Sequence, residues 1–290
     1  MERERQTRPV FVGVDIGNTH TVIGLFRGYR LVRNWRIRTD KRATADELGV
    51  LLRQFCALVP VQIEDIEDLI LCCVVPPVLH SWEGMCRNHM GTAAMIVQNG
   101  EPLGMPVKYS RPHEVGADRL VNAIAAYSRF RQAVIAVDYG TATTFDCISA
   151  SGEYLGGAIA PGLLLAAEAL FQGTSRLPRV ELFARPRTAL GQDTVSAIQA
   201  GMIYGFAGLT GELLRQLFKE FPEQPRVIAT GGLAPVVAPY CPLIEEVFPD
   251  LTLEGLAIIY KKFKGAAASE PEPEAARDGL GPETAAGSRP

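Results

Sequence analysis

The 290-residue chain has no Gly-x-x-x-x-Gly-Lys-Ser/Thr loop and no Gly-x-Gly-x-x-Gly fingerprint, so neither common strand-to-helix phosphate motif is present. Its six cysteines include no Cys-x-x-Cys pair, and Cys72 and Cys73 sit inside the apolar run Leu69 to Val75. Reduced, buried thiols are expected rather than a zinc or disulfide framework. The four histidines, His20, His80, His89 and His113, show no zinc spacing. No stretch approaches the roughly 20 apolar residues of a membrane span, and Met1 to Arg8 is charged rather than apolar. A cytoplasmic protein with no membrane partner is expected. The absence of a basic arm, or of basic residues interleaved with aromatics, argues against nucleic acid as a partner.

What is present suits a folded body of two domains. Apolar residues make up 47% and charged residues 21%, enough to bury substantial cores. The net charge of −3 belongs to the tail, where Glu270, Glu272, Glu274, Asp278 and Glu283 outnumber Arg277 and Arg289. Residues 265–290 are rich in Pro, Gly, Ala and Glu without apolar periodicity and are expected to be disordered.

One turn pattern occurs twice. Val10 to Phe26 is an apolar run ending in Asp15, the turn Gly17-Asn18-Thr19, and a second apolar run; Ala133 to Ile148 repeats the order with Asp138, Gly140 and Thr141. Each copy reads as a strand, a tight turn and a strand. Glycine allows close backbone approach, and the hydroxyls of Thr19, Thr21, Thr141 and Thr143 could donate to phosphate oxygens. Asp15 and Asp138, at strand ends, could hold a cation directly or through water. Internal repetition favours two facing nucleotide-binding halves over two ordinary hairpins.

The remaining pattern fits two similar halves, 9–128 and 129–264. Arg30 to Arg38 alternates like a half-buried strand, and Thr44-Ala-Asp-Glu47 is a capping box before helical spacing at Leu48, Leu51, Leu52 and Phe55. A strand over Leu69 to Val75, a helix over about Val78 to His89 and a strand over Ala94 to Val97 follow. The second half repeats the opening, with a strand Tyr154 to Ala160, a helix Leu163 to Phe171, and a longer helix from Thr194 toward Phe218. A strand at Arg226 to Thr230 delivers Gly231-Gly232, a turn on which an adenosine could lie, before a last helix over about Leu253 to Phe263. The predicted class is α/β: two ribonuclease-H-like, actin-like ATPase domains, mixed sheets flanked by helices, with a cleft between them.

The segment Lys108 to Ala123 carries the substrate chemistry. Asp118 and Arg119 follow Gly116-Ala117 at the start of a helix. An Asp in a first turn suits the helix dipole but an Arg there does not, so the pair is expected to have another task. Asp118 could accept a hydrogen bond from a substrate hydroxyl, and Arg119 could pair with a substrate carboxylate through a forked contact.

At these residues the chain resembles the type III pantothenate kinases. The resemblance rests on Asp15-Ile-Gly-Asn-Thr19, Glu114-Val-Gly-Ala-Asp-Arg119 with Asn122-Ala123, Val137-Asp-Tyr-Gly-Thr-Ala-Thr-Thr144, Gly156-Gly-Ala-Ile-Ala-Pro-Gly162, Gly191-Gln-Asp-Thr-Val-Ser-Ala-Ile-Gln-Ala-Gly201 and Ala229-Thr-Gly-Gly-Leu233. It covers about Val10 to Lys264. It implies ATP-dependent phosphorylation of pantothenate to 4′-phosphopantothenate, the first step toward coenzyme A. It places ATP on Asp15, Ile16, Gly17, Asn18, Thr19, His20, Thr21, Val22 and Thr141, and pantothenate on Tyr109, Gly116, Ala117, Asp118, Arg119 and Thr194. Asp118 would be the general base, and Asp138 would bind a monovalent cation, potassium or ammonium, alongside Mg2+ and ATP. A homodimer is also implied, with Thr194 acting on the neighbouring subunit's substrate. The same fold admits a non-catalytic regulator or scaffold, or another small-molecule kinase. Retention of Asp15, Asp118, Arg119 and Asp138 together weighs against the regulator, and the Gly-Ala-Asp-Arg segment against another kinase.

Overall fold

The computed structural model describes residues 9–98, 103–183, 186 and 188–267. The lead-in Met1 to Arg8 and the tail from residue 268 lie outside these. Two five-stranded sheets are built on one plan. In the first, β1 (Val10–Ile16), β2 (His20–Arg27) and β3 (Arg30–Arg38) form an antiparallel meander, and β4 (Ile66–Cys73) and β5 (Met95–Val97) extend it in parallel on the other side, in the order β3-β2-β1-β4-β5. In the second, β6 (Val134–Tyr139), β7 (Ala142–Ile148) and β8 (Tyr154–Pro161) form the meander, and β9 (Arg226–Thr230) and β10 (Glu246–Val247) extend it in parallel, in the order β10-β9-β6-β7-β8. The repeated turn in the sequence is therefore the first hairpin of each sheet.

Helices cover both faces of the sheets. Helix α1 (Ala45–Cys56) starts at the capping box, with Thr44 and Glu47 reciprocally satisfied. Helix α2 (Pro76–Met85) takes Pro76 and Pro77 into its first turn, where the missing N–H costs nothing, and relaxes into one wide turn at Cys86–Met90. Both pack on the outer face of the first sheet through Leu48, Leu52, Val78 and Trp82. Helix α3 (Ala117–Phe130) links the sheets. Helices α4 (Leu163–Gln172) and α5 (Thr194–Phe218) follow β8, and α5 covers the outer face of the second sheet through Ile203, Phe206 and Leu214.

The last helix, α6 (Leu251–Ala267), is longer at both ends than its apolar spacing predicts, and it takes in Gly265 to Ala267, for which composition predicts a disordered tail. It packs against α3 and against the first sheet. A side chain at Gly255 would lie 2.3 Å from the Val121 carbonyl, so only glycine permits this helix approach. The two helices and the inward faces of both sheets share one core containing Phe11, Phe26, Leu120, Ile124, Leu256 and Tyr260. Each such side chain contributes about 1.5–3 kcal/mol on burial. The layers run helix, sheet, helix, sheet, helix, with α3 and α6 in the middle.

Candidate functional site

Strand alternation decides which residues face the middle layer. In β1, Val10, Val12, Val14 and Ile16 enter the outer core, whereas Phe11 belongs to the middle core and Gly13 faces Leu256 of α6. Asp15 follows Phe11 and Gly13 on that inward face. In β6, Ile135, Val137 and Tyr139 point outward and Val134 and Ala136 inward, so Asp138 is inward as well. Helix α3 brings Asp118 between them in its first turn.

The three carboxylates feel one another, and each keeps a partly exposed surface. Burial pushes Asp15 up to about 7, assisted by the charge of Asp118 and opposed by the Cys72 thiol, which donates to its Oδ1 at 3.4 Å, and by Arg36. Burial also pushes Asp138 up to about 7, assisted by Asp118, Asp15 and Asp146 and opposed by Asn122, whose Nδ2 donates to Oδ2 at 3.1 Å. Thr252 of α6 donates to Asn122 Oδ1 at 2.8 Å and so turns the amide nitrogen toward Asp138. Asp118 is raised by burial, against the backbone N–H of Arg119, which donates to Oδ1 at 2.9 Å. This is a site short of positive charge. Among the described residues no three His, Cys, Asp or Glu side chains are grouped to hold a metal ion, so a cation here would draw further ligands from backbone or substrate oxygens.

The two repeated turns come together. Thr19 and Thr141 hydroxyls lie 2.9 Å apart, joining the two halves. Thr21 and Thr143, also expected to donate to phosphate, do not face this junction. Alternation buries both: Thr21 exchanges a hydrogen bond with Thr39, and Thr143 donates to the Pro161 carbonyl. Ile16 is fully buried in the outer core, so it offers the cleft only its backbone. Exposed His20 opens β2, its pKa lowered by burial and then by Arg36. Gly231 adopts φ 89° close to Asp138, where a Cβ would lie 2.3 Å from Oδ1. The Gly231-Gly232 turn therefore stands beside the second phosphate turn.

The segment Lys108 to Ala123, expected to meet the substrate, lies beside these turns. Gly116 caps α3, and a Cβ there would strike Asp118 Oδ1 at 2.5 Å. Tyr109 lies along Gly156, its ring 6.5 Å from that of Tyr154. Arg119, however, is buried and largely committed. Its Nε donates to Asp146 Oδ1 at 2.7 Å, its Nη2 to the Phe145 carbonyl at 3.2 Å, and Tyr154 donates to the same Asp146 oxygen at 2.9 Å. The expected free fork is thus engaged internally, which leaves Nη1 as the less committed end. Asp146 was missed by sequence reasoning. An acid between Phe145 and Cys147 in an apolar strand is a signal of a buried partner, but it does not say which. Burial pushes Asp146 up to about 6, with Arg119 and Tyr154 opposing.

Thr194 stands apart. It lies in the first turn of α5 and lines an apolar groove of about 430 Å³ with Leu170, Leu177, Ala197, Ile198 and Met202. Among the described residues no hydrogen bond joins it to Tyr109, Asp118 or Arg119. Leu170 on this groove and Val195, next to Thr194 in α5, are exposed.

A family model described as type III pantothenate kinase matches residues 11–216. The chain is 50% identical over 252 residues to the type III pantothenate kinase of Syntrophotalea carbinolica, covering 87% of this chain and 98% of that one. It is 51% identical over 249 residues to that of Desulfatibacillum aliphaticivorans, covering 86% and 97%. Among solved structures, a conserved Baf family protein from Campylobacter jejuni superposes with a TM-score of 0.54 at 19% identity, covering 88% of this chain and 100% of that one. Component A of the (R)-2-hydroxyglutaryl-CoA dehydratase of Acidaminococcus fermentans gives a TM-score of 0.53 at 14% identity, covering 89% and 99%. These two likenesses carry the fold alone. The paired mixed sheets flanked by helices are the actin-like ATPase architecture that the duplicated turn predicted.

Proposed function

This chain belongs to the type III pantothenate kinase family, and from that premise we propose how its cleft divides the work. The protein is a kinase that uses ATP to phosphorylate pantothenate to 4′-phosphopantothenate in coenzyme A biosynthesis. The proposal concerns which residues do this.

ATP lies along Asp15, Ile16, Gly17, Asn18, Thr19, His20, Thr21 and Val22, with Thr141 meeting its phosphates from the opposite half. Thr19 and Thr141 supply hydroxyls, while Ile16 and Thr21 contribute backbone. Pantothenate lies against Tyr109, Gly116, Ala117 and Arg119, with its hydroxyl at Asp118. The hydroxyl oxygen forms the new bond to the γ-phosphorus, the bond to the β–γ bridging oxygen breaks, ADP leaves, and the Asp118 carboxylate takes the proton. Because phosphoryl transfer is largely dissociative, that proton moves late and Asp118 acts mainly by orientation. Its raised pKa makes it a better acceptor than an ordinary carboxylate.

Asp138 would hold a monovalent cation, K+ or NH4+, and Asp15 would serve the Mg2+ that accompanies the nucleotide, directly or through water. Bound cations would offset the charge of the three carboxylates and the polyphosphate. Residues 9–128 and 129–264 serve as the two lobes, with α6 bracing the first lobe from the second. The apolar groove that Thr194 lines, with Leu170 and Val195 exposed, supports a homodimer in which Thr194 completes the partner's pantothenate site. A cytoplasmic location agrees with six free cysteines and with the absence, among the described residues, of any helix long and apolar enough to cross a membrane.

The observation that carries the assignment is Asp118 in the first turn of α3, coupled electrostatically to both Asp15 and Asp138. Asp118→Asn is expected to keep the fold and the affinity for a non-hydrolysable ATP analogue while turnover drops about 10²–10⁴-fold. Near-normal turnover by the folded variant would remove Asp118 from this role.

A further inference from the structure

Strand β3 presents two unlike faces. Trp35 and Ile37 join the outer core, and Trp35 stacks on Phe55 of α1 at 4.9 Å. The alternate residues Asn34 and Arg36 point the other way, and Asn34 donates to Asp250, just before α6. Arg36 therefore reaches over the cleft from the first sheet. A Cβ built on Gly232 would lie 2.6 Å from Arg36 Nη1 and 3.4 Å from Cζ, which places the guanidinium against the Gly231-Gly232 turn of the second sheet. Its charge is also felt at the first phosphate turn, where it opposes the rise of Asp15 and lowers His20. Among the described residues Arg36 has no hydrogen-bond or salt-bridge partner, and it is exposed. It is a cation standing between the first repeated turn and the Gly231-Gly232 turn.

We propose that Arg36 is a nucleotide-binding residue that donates from β3 to the α- and β-phosphates, on the side opposite Thr141. A planar guanidinium suits two phosphate oxygens at once. The missing side chain at Gly232 leaves room for the guanidinium, whose Nη1 would lie 2.6 Å from a Cβ there. Arg36 thus also bridges the halves when nucleotide is bound, because the ligand it holds is framed by the turns of both sheets. This inference rests on reading the cleft as the ATP site.

The test uses the full chain with Arg36→Gln, Arg36→Lys and, in parallel, Thr19→Val, measuring KM for MgATP and for pantothenate and inhibition constants for ADP and adenosine. Loss of a charge-assisted hydrogen bond predicts that Arg36→Gln weakens MgATP and ADP about tenfold or more, leaves pantothenate and adenosine unchanged, and is partly rescued by Arg36→Lys. The proposal is overturned if ADP binding is unchanged, or if adenosine weakens as much as ADP, which would mean contact with the nucleoside. A fall in melting temperature with both KM values rising together would also overturn it, marking Arg36 as a structural latch. If Thr19→Val weakens ADP while Arg36→Gln does not, only the Arg36 assignment fails. If neither weakens it, the placement of ATP in this cleft fails too.

Discussion

Replacing Asp138 by Asn is expected to make the cation-free protein more stable, and by an amount that depends on pH. Asp138 is pushed from 3.8 to about 7, first by burial and then by Asp118, Asp15 and Asp146. The folded state therefore holds a proton that the unfolded chain has released, and between these two values stability falls as pH rises. Below pH 4 both states are protonated and nothing is lost; above about 7 both are ionised and the penalty is complete. About three pKa units correspond to about 4 kcal/mol at 1.36 kcal/mol per unit, an upper bound because neighbouring acids share the shift. More than half of it accrues between about pH 5 and pH 8. At about 2–4 °C per kcal/mol for a body of this size, the melting-temperature advantage of Asp138→Asn grows by about 5–10 °C over that range. Asn122 already donates to Oδ2, which the Asn amide oxygen can replace, so the variant keeps its hydrogen bond. Thermal unfolding of parent and variant from pH 5 to 8, in buffer free of K+, NH4+ and Mg2+, measures the difference directly. K+ added at pH 8 is expected to stabilise the parent and not the variant. A gap independent of pH would refute the charge argument, and equal K+ stabilisation of both proteins would remove Asp138 from the cation site.

Asp146→Ala is expected to lower stability by about 3–5 kcal/mol in urea unfolding, because it strands a buried guanidinium whose side chain is only 10% exposed against a fully buried partner. Asp146→Asn, which keeps an acceptor, is expected to fold and to raise KM for pantothenate more than for ATP; an unchanged pantothenate KM would separate the Arg119 network from substrate binding. If Thr194 completes the partner's site, specific activity should fall on dilution in step with dimer dissociation measured by sedimentation. A fully active monomer would exclude that sharing.

Much of the scaffold was legible because local rules agreed with the global fold. Alternation with an Asp at each strand end fixed both hairpins, and the Thr44 capping box fixed the start of α1. Helix α6 was legible as a helix but not in its placement. Its packing on the first sheet depends on a glycine at position 255 meeting the Val121 backbone, a contact between residues far apart in sequence. The site divides in the same way. Asp15, Asp118 and Asp138 could be located by their elements, whereas the commitment of Arg119 to Asp146 and the burial of Thr21 and Thr143 required the register of three strands at once. Arg36 was hidden in plain alternation: the polar face of a half-buried strand normally faces water, and here it faces the cleft.

That hidden arginine makes the two copies of the phosphate turn electrostatically unlike. Around Asp15 the negative charge of Asp118 is opposed by the Arg36 guanidinium and a thiol hydrogen bond. Around Asp138 three acids, Asp118, Asp15 and Asp146, act in the same direction, and only the neutral amide of Asn122 opposes them. A turn with a nearby unpaired cation favours an anion such as phosphate, and one facing uncompensated carboxylates favours a cation. Duplication supplied two equal hairpins. The separate tasks proposed for them follow from what lies beside each: a β3 arginine at the first, and at the second a β7 aspartate whose Oδ2 is, among the described residues, buried without a hydrogen bond. The proposed assignment of polyphosphate to the Asp15 turn and of the monovalent cation to Asp138 therefore rests on Arg36, outside both repeats, and on Asp146, near the end of the second.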